Sequence, residues 1–482
     1  MVLSNTHINL TKKCDEKRSV MRNLGENPTL LKQQKKLRNL IIGLDEKIPL
    51  ENGRSIKGIY FDNAATTPPF KSVLKAIQEF APWYSSVGRG KGYKSVRSTE
   101  IIERTRLNVL NFVGGKADQH TVIFTKNSTE SMNLLSHILH QSTIKRYILL
   151  SEMEHISNDL PWREYFEVEY ITVNHDGQIS LEDLKVKLKA LKGQVALVSI
   201  TGASNVTGCI NPIYEAAELT HRFGAKIHID AAQFIPHESI QMVRLNEMEN
   251  IDFLSFTGHK LYAPFGTAVL IGAIEEFKDA KPLQKGGGTT QVAIKSFVQW
   301  NKAPERFEGG TPNVMGIVAL NAAIRTLQQN NMEMIIEYEK QLINYAIVQL
   351  RTIDGLKLFC ALNNNLPQVS VFSFTIDGLH HQDIAHILAR EFGISVRSGF
   401  FCAYSYVQKL LQISDEMIDE VRKDTSIPSP GLVRISLSFY NTFAEVNQLV
   451  EAIQLITCNK EYYTKKYENE PKGICGIQSY KL

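Results

Sequence analysis

Lys226-Ile-His-Ile-Asp230-Ala-Ala-Gln233 is a short apolar run that stops at a carboxylate, with an amide three residues further on. A strand buried on both faces reads as nearly continuous apolar sequence, and in open α/β sheets the working polar groups collect just beyond the carboxyl ends of the strands. Asp230 stands at such an end, where a carboxylate can accept a hydrogen bond from a heterocyclic N–H and hold it charged.

The same pattern recurs outward from this run. Val122–Phe124, Tyr147–Leu150, Val195–Ile200 and Ala268–Ile271 are short β-branched or apolar runs, and helix-like stretches at Ser131–His140 and Asn211–Phe223 lie between them. Strands alternating with helices predict a mostly parallel α/β sheet. Beyond Val314 the pattern changes to a long helical stretch over Gly316–Leu350, a strand at Gln368–Phe374, a helix at His381–Glu391 and a strand at Gly431–Leu437. The expected organisation is an N-terminal arm over 1–57 with a short amphipathic helix at Thr29–Leu40, a large domain over 58–313, a smaller α+β domain over 314–460 and a polar tail over 461–482.

Composition bounds the function. The chain has 482 residues, 43% of them hydrophobic, and its 54 Lys and Arg nearly balance 50 Asp and Glu for a net charge of +4. So small an excess, with both signs interspersed, gives no bulk attraction for nucleic acid or a membrane surface. No apolar run reaches the ~18 to 20 residues of a membrane span, and no secretory apolar segment opens the chain, so a cytoplasmic enzyme is expected. The six cysteines are scattered without CxxC pairs, which signals neither a disulfide framework nor a zinc site. His259 next to Lys260 lacks metal-ligand spacing, Gly286-Gly-Gly288 lacks the lysine spacing of a P-loop, and no metal is expected.

Two further strand ends carry chemistry. Phe124-Thr-Lys-Asn-Ser128-Thr129-Glu-Ser-Met-Asn133 runs from a strand into a helix, so its hydroxyls and first-turn N–H groups make an anion site at the favourable end of the helix dipole. Ser255-Phe-Thr257-Gly-His259-Lys260 puts a lysine after another strand. Singly, each is as well explained by capping or by a solvated surface. Together they supply an anion cradle, a partner for a pyridine nitrogen and a Schiff-base amine, which is what pyridoxal 5'-phosphate requires of a protein.

With these stand Tyr60-Phe-Asp-Asn-Ala-Ala-Thr66, Glu154-His155-Ile-Ser-Asn158, Ser204-Asn205-Val-Thr-Gly208, Arg306-Phe-Glu-Gly-Gly-Thr311-Pro-Asn313, Arg397-Ser-Gly-Phe-Phe-Cys402-Ala and Arg434-Ile-Ser-Leu. In this order the motifs, from about Ile59 to Thr457, resemble the class V aminotransferase family, in its cysteine desulfurase and selenocysteine lyase (SUF-type) branch. The resemblance implies the type I fold of pyridoxal-phosphate enzymes, with a large domain around a mostly parallel seven-stranded sheet and a smaller α+β C-terminal domain. It implies that Lys260 forms the Schiff base, Asp230 partners the pyridine nitrogen, His155 stacks on the ring and Gln233 donates to its phenolic oxygen. Ser128, Thr129, Thr257 and His259 match phosphate-binding positions, and Thr311 matches one that reaches the phosphate of a neighbouring subunit, which implies a homodimer. Asn205 and Arg434 resemble the grip on the substrate carboxylate, and Arg397 is expected with them among the substrate-binding residues.

The reaction turns on Cys402. Its segment resembles the Arg-x-Gly-x-x-Cys loop that supplies the nucleophile of the SUF-type branch, which implies conversion of L-cysteine to L-alanine, a persulfide on Cys402 and an acceptor for its sulfur. Thiolate is the reactive form, and Arg397 is a nearby cation that favours it. Phe400 and Phe401 precede the cysteine where polar residues are usual, an apolar approach that opposes thiolate formation. A C–S lyase, selenocysteine lyase, epimerase or aminotransferase acting on another small amino acid shares the same cofactor residues and stays open at this point, as does a buried structural role for Cys402.

Overall fold

The computed structural model describes residues 28–361, 366–424 and 427–468. Its centre is a seven-stranded sheet of β1 (His120–Thr125), β2 (Tyr147–Ser151), β3 (Glu167–Ile171), β4 (Val195–Thr201), β5 (Lys226–Asp230), β6 (Phe253–Thr257) and β7 (Ala268–Ala273). The spatial order is β1-β7-β6-β5-β4-β2-β3. Only β7 runs antiparallel to its neighbours, and its first residue, Ala268, pairs with both Thr125 and Thr257. Six strands therefore point their carboxyl ends the same way.

Alternation along these strands feeds two apolar layers. Val122, Phe124, Val198, Ile200, Ile227, Ile229 and Phe256 join one buried cluster, while Ile123, Ile148, Leu150, Leu197, Phe253 and Leu270 join the other. Helix Ser128–Ser142 packs Leu134, Leu135 and Ile138 into the second layer; helices Tyr93–Phe112 and Val314–Gln329 close the first. Covered on both faces, β4 is buried throughout and mostly apolar, whereas the edge strand β3 alternates exposed and half-buried residues up to the buried Ile171.

The second sheet contains β8 (Leu356–Phe359), β9 (Val371–Ile376), β10 (Arg397–Gly399) and β11 (Leu432–Ser436), antiparallel in the order β8-β9-β11-β10. The expected strand at 368–374 starts three residues later, because Gln368 bridges to Cys209 of the first sheet's loops instead. The two halves also meet at Gly208, whose φ is +76° and where a Cβ would stand 2.2 Å from the Val371 carbonyl oxygen, so only glycine fits.

Three expectations differ from what is seen. The helical stretch 316–350 is two helices, Val314–Gln329 and Met332–Leu350, since Asn331 adopts a φ of 58° and its side chain caps the second helix at the Met334 N–H. Residues 28–57 are docked rather than trailing: Leu37 and Ile41 are buried, Arg38 pairs with Glu445 at 2.8 Å, and Lys47–Pro49 pairs with Ser55–Lys57 as a hairpin. Residues 461–467 belong to a helix, Lys460–Tyr467, whose Tyr463 and Tyr467 are buried four residues apart on one face. The remaining residues of the arm and tail lie outside the described part. No helix among the described residues is long and apolar enough to cross a membrane.

Candidate active site

The carboxyl ends of β1, β2, β4, β5 and β6 open onto one cavity of about 500 Å³. Ser128 and Thr129 come from β1, His155 from β2, Asn205 from β4, Asp230 and Gln233 from β5, and Thr257, His259 and Lys260 from β6. Arg397, Cys402 and Arg434 enter from the second sheet. Every residue expected to bind cofactor or substrate or to act in catalysis lines this cavity except Thr311, which lies with Glu308 and Gln284 on a separate one.

At one end the cavity is built for an anion. Asn127 caps helix Ser128–Ser142 by accepting from the Glu130 N–H at 2.9 Å, which orients the other first-turn N–H groups toward the cavity. Ser128 Oγ and Thr257 Oγ1 are buried with no hydrogen-bond partner. An unsatisfied buried hydroxyl costs about 1–3 kcal/mol, so two of them beside a helix N-terminus fit a phosphate group. Thr129 shares a 2.7 Å hydrogen bond with Ser157, which sets its hydroxyl at the same end. Burial, helped by the Lys260 charge, pushes the His259 imidazole down to about 4, so it serves as a neutral group.

In the middle, Asp230 Oδ1 accepts from the Ala232 N–H at 3.0 Å and burial raises the acid's pKa, partly offset by that bond and by Lys260. A cationic ring N–H placed against it would favour the ionised form. His155 is held to the same neutral state as His259, pushed down to about 4 by burial, Lys260 and Arg434. Its Nδ1 accepts from the Ser157 N–H at 3.1 Å, which leaves the proton on Nε2. Glu154 anchors this loop: it is fully enclosed, accepts from the Thr201 N–H at 2.9 Å and from Asn158 at 2.7 Å, and burial pushes it up to about 8. Lys260 Nζ donates to Gln233 Oε1 at 3.2 Å, leaving the Gln233 amide nitrogen free to donate elsewhere. Burial lowers Lys260 to about 8, outweighing the attraction of Asp230 and reinforced by Arg434. An amine near neutrality is the form that acts as a nucleophile or base.

The other end is a carboxylate seat. Arg434 is buried; it donates to the Asn205 carbonyl at 3.1 Å and to Asp62 Oδ1 at 3.2 Å, while its Nε has no partner. Burial lowers it to about 10, with Asp62 opposing. Asp62 also takes Arg397 at 3.3 Å, so one carboxylate holds both arginines. That role was invisible in the Tyr60–Thr66 motif, whose only hint was an acidic residue beside small ones.

Cys402 is half-buried at the cavity wall. It does not sit behind two phenylalanines as expected: Phe400 stacks on Tyr404 at 5.0 Å, outside the cavity, and only Phe401 lines it, with its ring 4.8 Å from the Arg434 guanidinium. The approach to the thiol therefore holds a cation as well as an aromatic ring. The other described cysteines, Cys209, Cys360 and Cys458, lie elsewhere, and no group of three His, Cys, Asp or Glu suited to a metal occurs among the described residues.

The model for Aminotransferase class-V matches residues 59–449. A cysteine desulfurase of Escherichia coli O157:H7 is 32% identical over 415 residues, covering 84% of this chain and 95% of that protein. Among solved structures, the cysteine desulfurase from Thermococcus onnurineus NA1 superposes with a TM-score of 0.74 at 30% identity, covering 83% of this chain and 95% of that one. The cysteine desulfurase CsdA from Escherichia coli gives 0.72 at 25% identity over 88% and 98%.

Proposed function

The chain belongs to the class-V aminotransferase family, and on that footing we propose that it is a cysteine desulfurase that converts L-cysteine to L-alanine and keeps the sulfur as a persulfide on Cys402. The observation that carries this is the convergence of Lys260, Asp230, Arg434 and Cys402 on one cavity. The residues fit pyridoxal 5'-phosphate, because the two orphaned buried hydroxyls, the helix N-terminus and a buried carboxylate are the groups its phosphate and ring nitrogen need. When bound, the cofactor supplies an electron sink for bonds broken at the substrate's α carbon.

The chain's own residues do the rest. Ser128, Thr129, Thr257 and His259 would hold the phosphate, Asp230 would keep the ring nitrogen protonated, His155 would pack against the ring, Gln233 would donate to its phenolic oxygen and Lys260 would provide the linking amine. Arg434 and Asn205 grip the substrate carboxylate, the guanidinium offering parallel donors to a planar anion. Lys260 Nζ, with its lowered pKa, takes the proton from the substrate's Cα. Cys402 Sγ attacks the substrate sulfur; the Cβ–S bond breaks, an S–S bond forms on Cys402, Cβ gains a proton, and Cα regains the one Lys260 took, to give L-alanine. L-cysteine plus one enzyme thiol thus becomes L-alanine plus one enzyme persulfide, without an outside oxidant. Arg397, tied to Asp62, contributes positive charge near the thiol.

The persulfide requires a thiol-bearing acceptor, and a cytoplasmic setting, where thiols stay reduced, suits it. A homodimer would bring Thr311 of one copy to the phosphate of another. The test is sulfide and alanine release from L-cysteine with dithiothreitol: both are expected from the native chain and neither above background from Cys402→Ala. If Cys402→Ala keeps turnover, the chain is instead a lyase or aminotransferase acting without the thiol.

A further inference from the structure

Cys402 is carried on a turn that its own sequence opposes. The Ala403 N–H closes onto the Phe400 carbonyl at 2.9 Å, and the two residues between them, Phe401 and Cys402, have φ of 52° and 58°. A turn with positive φ at both central positions favours Asn and Gly; a bulky aromatic there is a genuine outlier. Such a turn persists only where its surroundings hold it.

Two attachments hold Phe401, and both lead to the carboxylate seat. Its carbonyl accepts from Asn205 Nδ2 at 2.8 Å, and its buried ring lies over the Arg434 guanidinium at 4.8 Å. A third bond, from the Ile156 N–H to the Cys402 carbonyl at 2.8 Å, ties the turn to the residue after His155. Asn205 and Arg434 thus face the substrate on one side and Phe401 on the other.

We infer that Phe401 is a positioning residue: its ring on Arg434 and its carbonyl on Asn205 fix the turn that aims Cys402 Sγ into the cavity, so the groups that grip the substrate carboxylate also set the place of the nucleophile. This rests on the roles proposed above for Asn205, Arg434 and Cys402. A cation held against a desolvated aromatic face is a substantial interaction, and a leucine of similar bulk lacks it while still filling space.

The test uses the holoenzyme of Phe401→Leu and Phe401→Tyr, with two readouts. In steady-state assays Phe401→Leu is expected to lower kcat for sulfide release about five- to ten-fold, with KM for L-cysteine within two-fold of native and unchanged cofactor absorbance, and Phe401→Tyr, which keeps the ring, restores kcat. Independently of turnover, the rate of iodoacetamide alkylation at Cys402, measured by mass spectrometry against exposed Cys458 in the same molecule, is expected to rise about five-fold in Phe401→Leu as the turn loosens and to stay native in Phe401→Tyr. Asn205→Asp, which removes the other attachment, is expected to raise it as well. The inference is overturned if Phe401→Leu alkylates at the native ratio, or if its whole effect lies in KM. Should L-cysteine give no sulfide while the alkylation ratio still responds, the desulfurase reading fails and the positioning role stands.

Discussion

Replacing Asp62 by Asn tests the electrostatic frame of the site most directly. Arg434 is only 2% exposed, and Asp62 is the charged group that its guanidinium touches, at 3.2 Å. At that separation and an effective dielectric of about 20, the pair attraction is about 5 kcal/mol. An asparagine keeps one carbonyl oxygen in place and recovers about 1 kcal/mol as a neutral hydrogen bond. The bond to Arg397 adds little, because that side chain is 49% exposed and such pairs are worth about 0–1 kcal/mol. The expected net loss is about 3–4 kcal/mol, in the range for a buried ion pair that loses one partner. Urea unfolding midpoints of cofactor-free native, Asp62→Asn, Arg434→Leu and double-variant chains measure it as a double-mutant cycle. With Arg434 already gone, Asp62→Asn is expected to cost under about 1 kcal/mol, since no buried charge is left to compensate. Equal losses in both backgrounds would refute the reasoning and make Asp62 a residue that supports Arg397 or the local backbone alone.

Three further outcomes follow from the same geometry. Lys260 has its folded-state pKa lowered to about 8 from 10.5, so kcat for L-cysteine, which reports the substrate-bound enzyme in which Lys260 is the free amine, should rise with pH through about 8, and a kcat profile flat across that range would remove Lys260 as the base. By the same shift the unfolded chain binds the extra proton between about 8 and 10.5, so the burial penalty is fully present below 8 and is relieved as pH rises through that window; urea midpoints of the cofactor-free native chain against those of Lys260→Met, over pH 7 to 10, should converge. The paired change Ser128→Ala with Thr257→Ala deletes two unpartnered buried hydroxyls, so it should weaken pyridoxal 5'-phosphate binding at least ten-fold by absorbance titration yet leave the cofactor-free chain as stable as native or slightly more so.

The parts that sequence reading reached are those whose chemistry is local to one strand end. Asp230, Lys260 and the Ser128 helix start each follow an apolar run within a few residues, so the rule that sites lie beyond strand carboxyl ends finds them together. Asp62 escaped because its role exists only through Arg434 and Arg397, partners 372 and 335 residues away along the chain. Phe401 was misread for a related reason: apolar type alone says nothing about the cation its ring covers. The break at Asn330–Asn331 was hidden by an apolar period that continues through it, although an Asn pair is itself a capping signal. In the helix at 460–467 the polar residues dominate the composition, and the two tyrosines that anchor it are decisive only because Glu51 and Glu391 receive the Tyr467 hydroxyl.

The site divides its labour between two sheets, and that division explains where the strain sits. The groups suited to the cofactor all hang from the ends of one nearly parallel sheet, whose buried strands hold them rigidly; Arg434, Arg397 and Cys402 come from the other. The distance from Lys260 to Cys402 therefore depends on how one sheet is seated against the other. The seating is fixed by a few polar links: Arg434 to the Asn205 carbonyl, Asn205 to the Phe401 carbonyl, the Ile156 N–H to the Cys402 carbonyl, and a 2.6 Å pair between His237, beyond β5, and Glu339 on helix Met332–Leu350. Three of these four end on the carboxylate seat or on the Cys402 turn. A strained turn at that junction is useful because it has no stable place of its own: left to itself the Phe401–Cys402 pair would relax to negative φ, so the thiol points into the cavity only while both sheets are correctly seated.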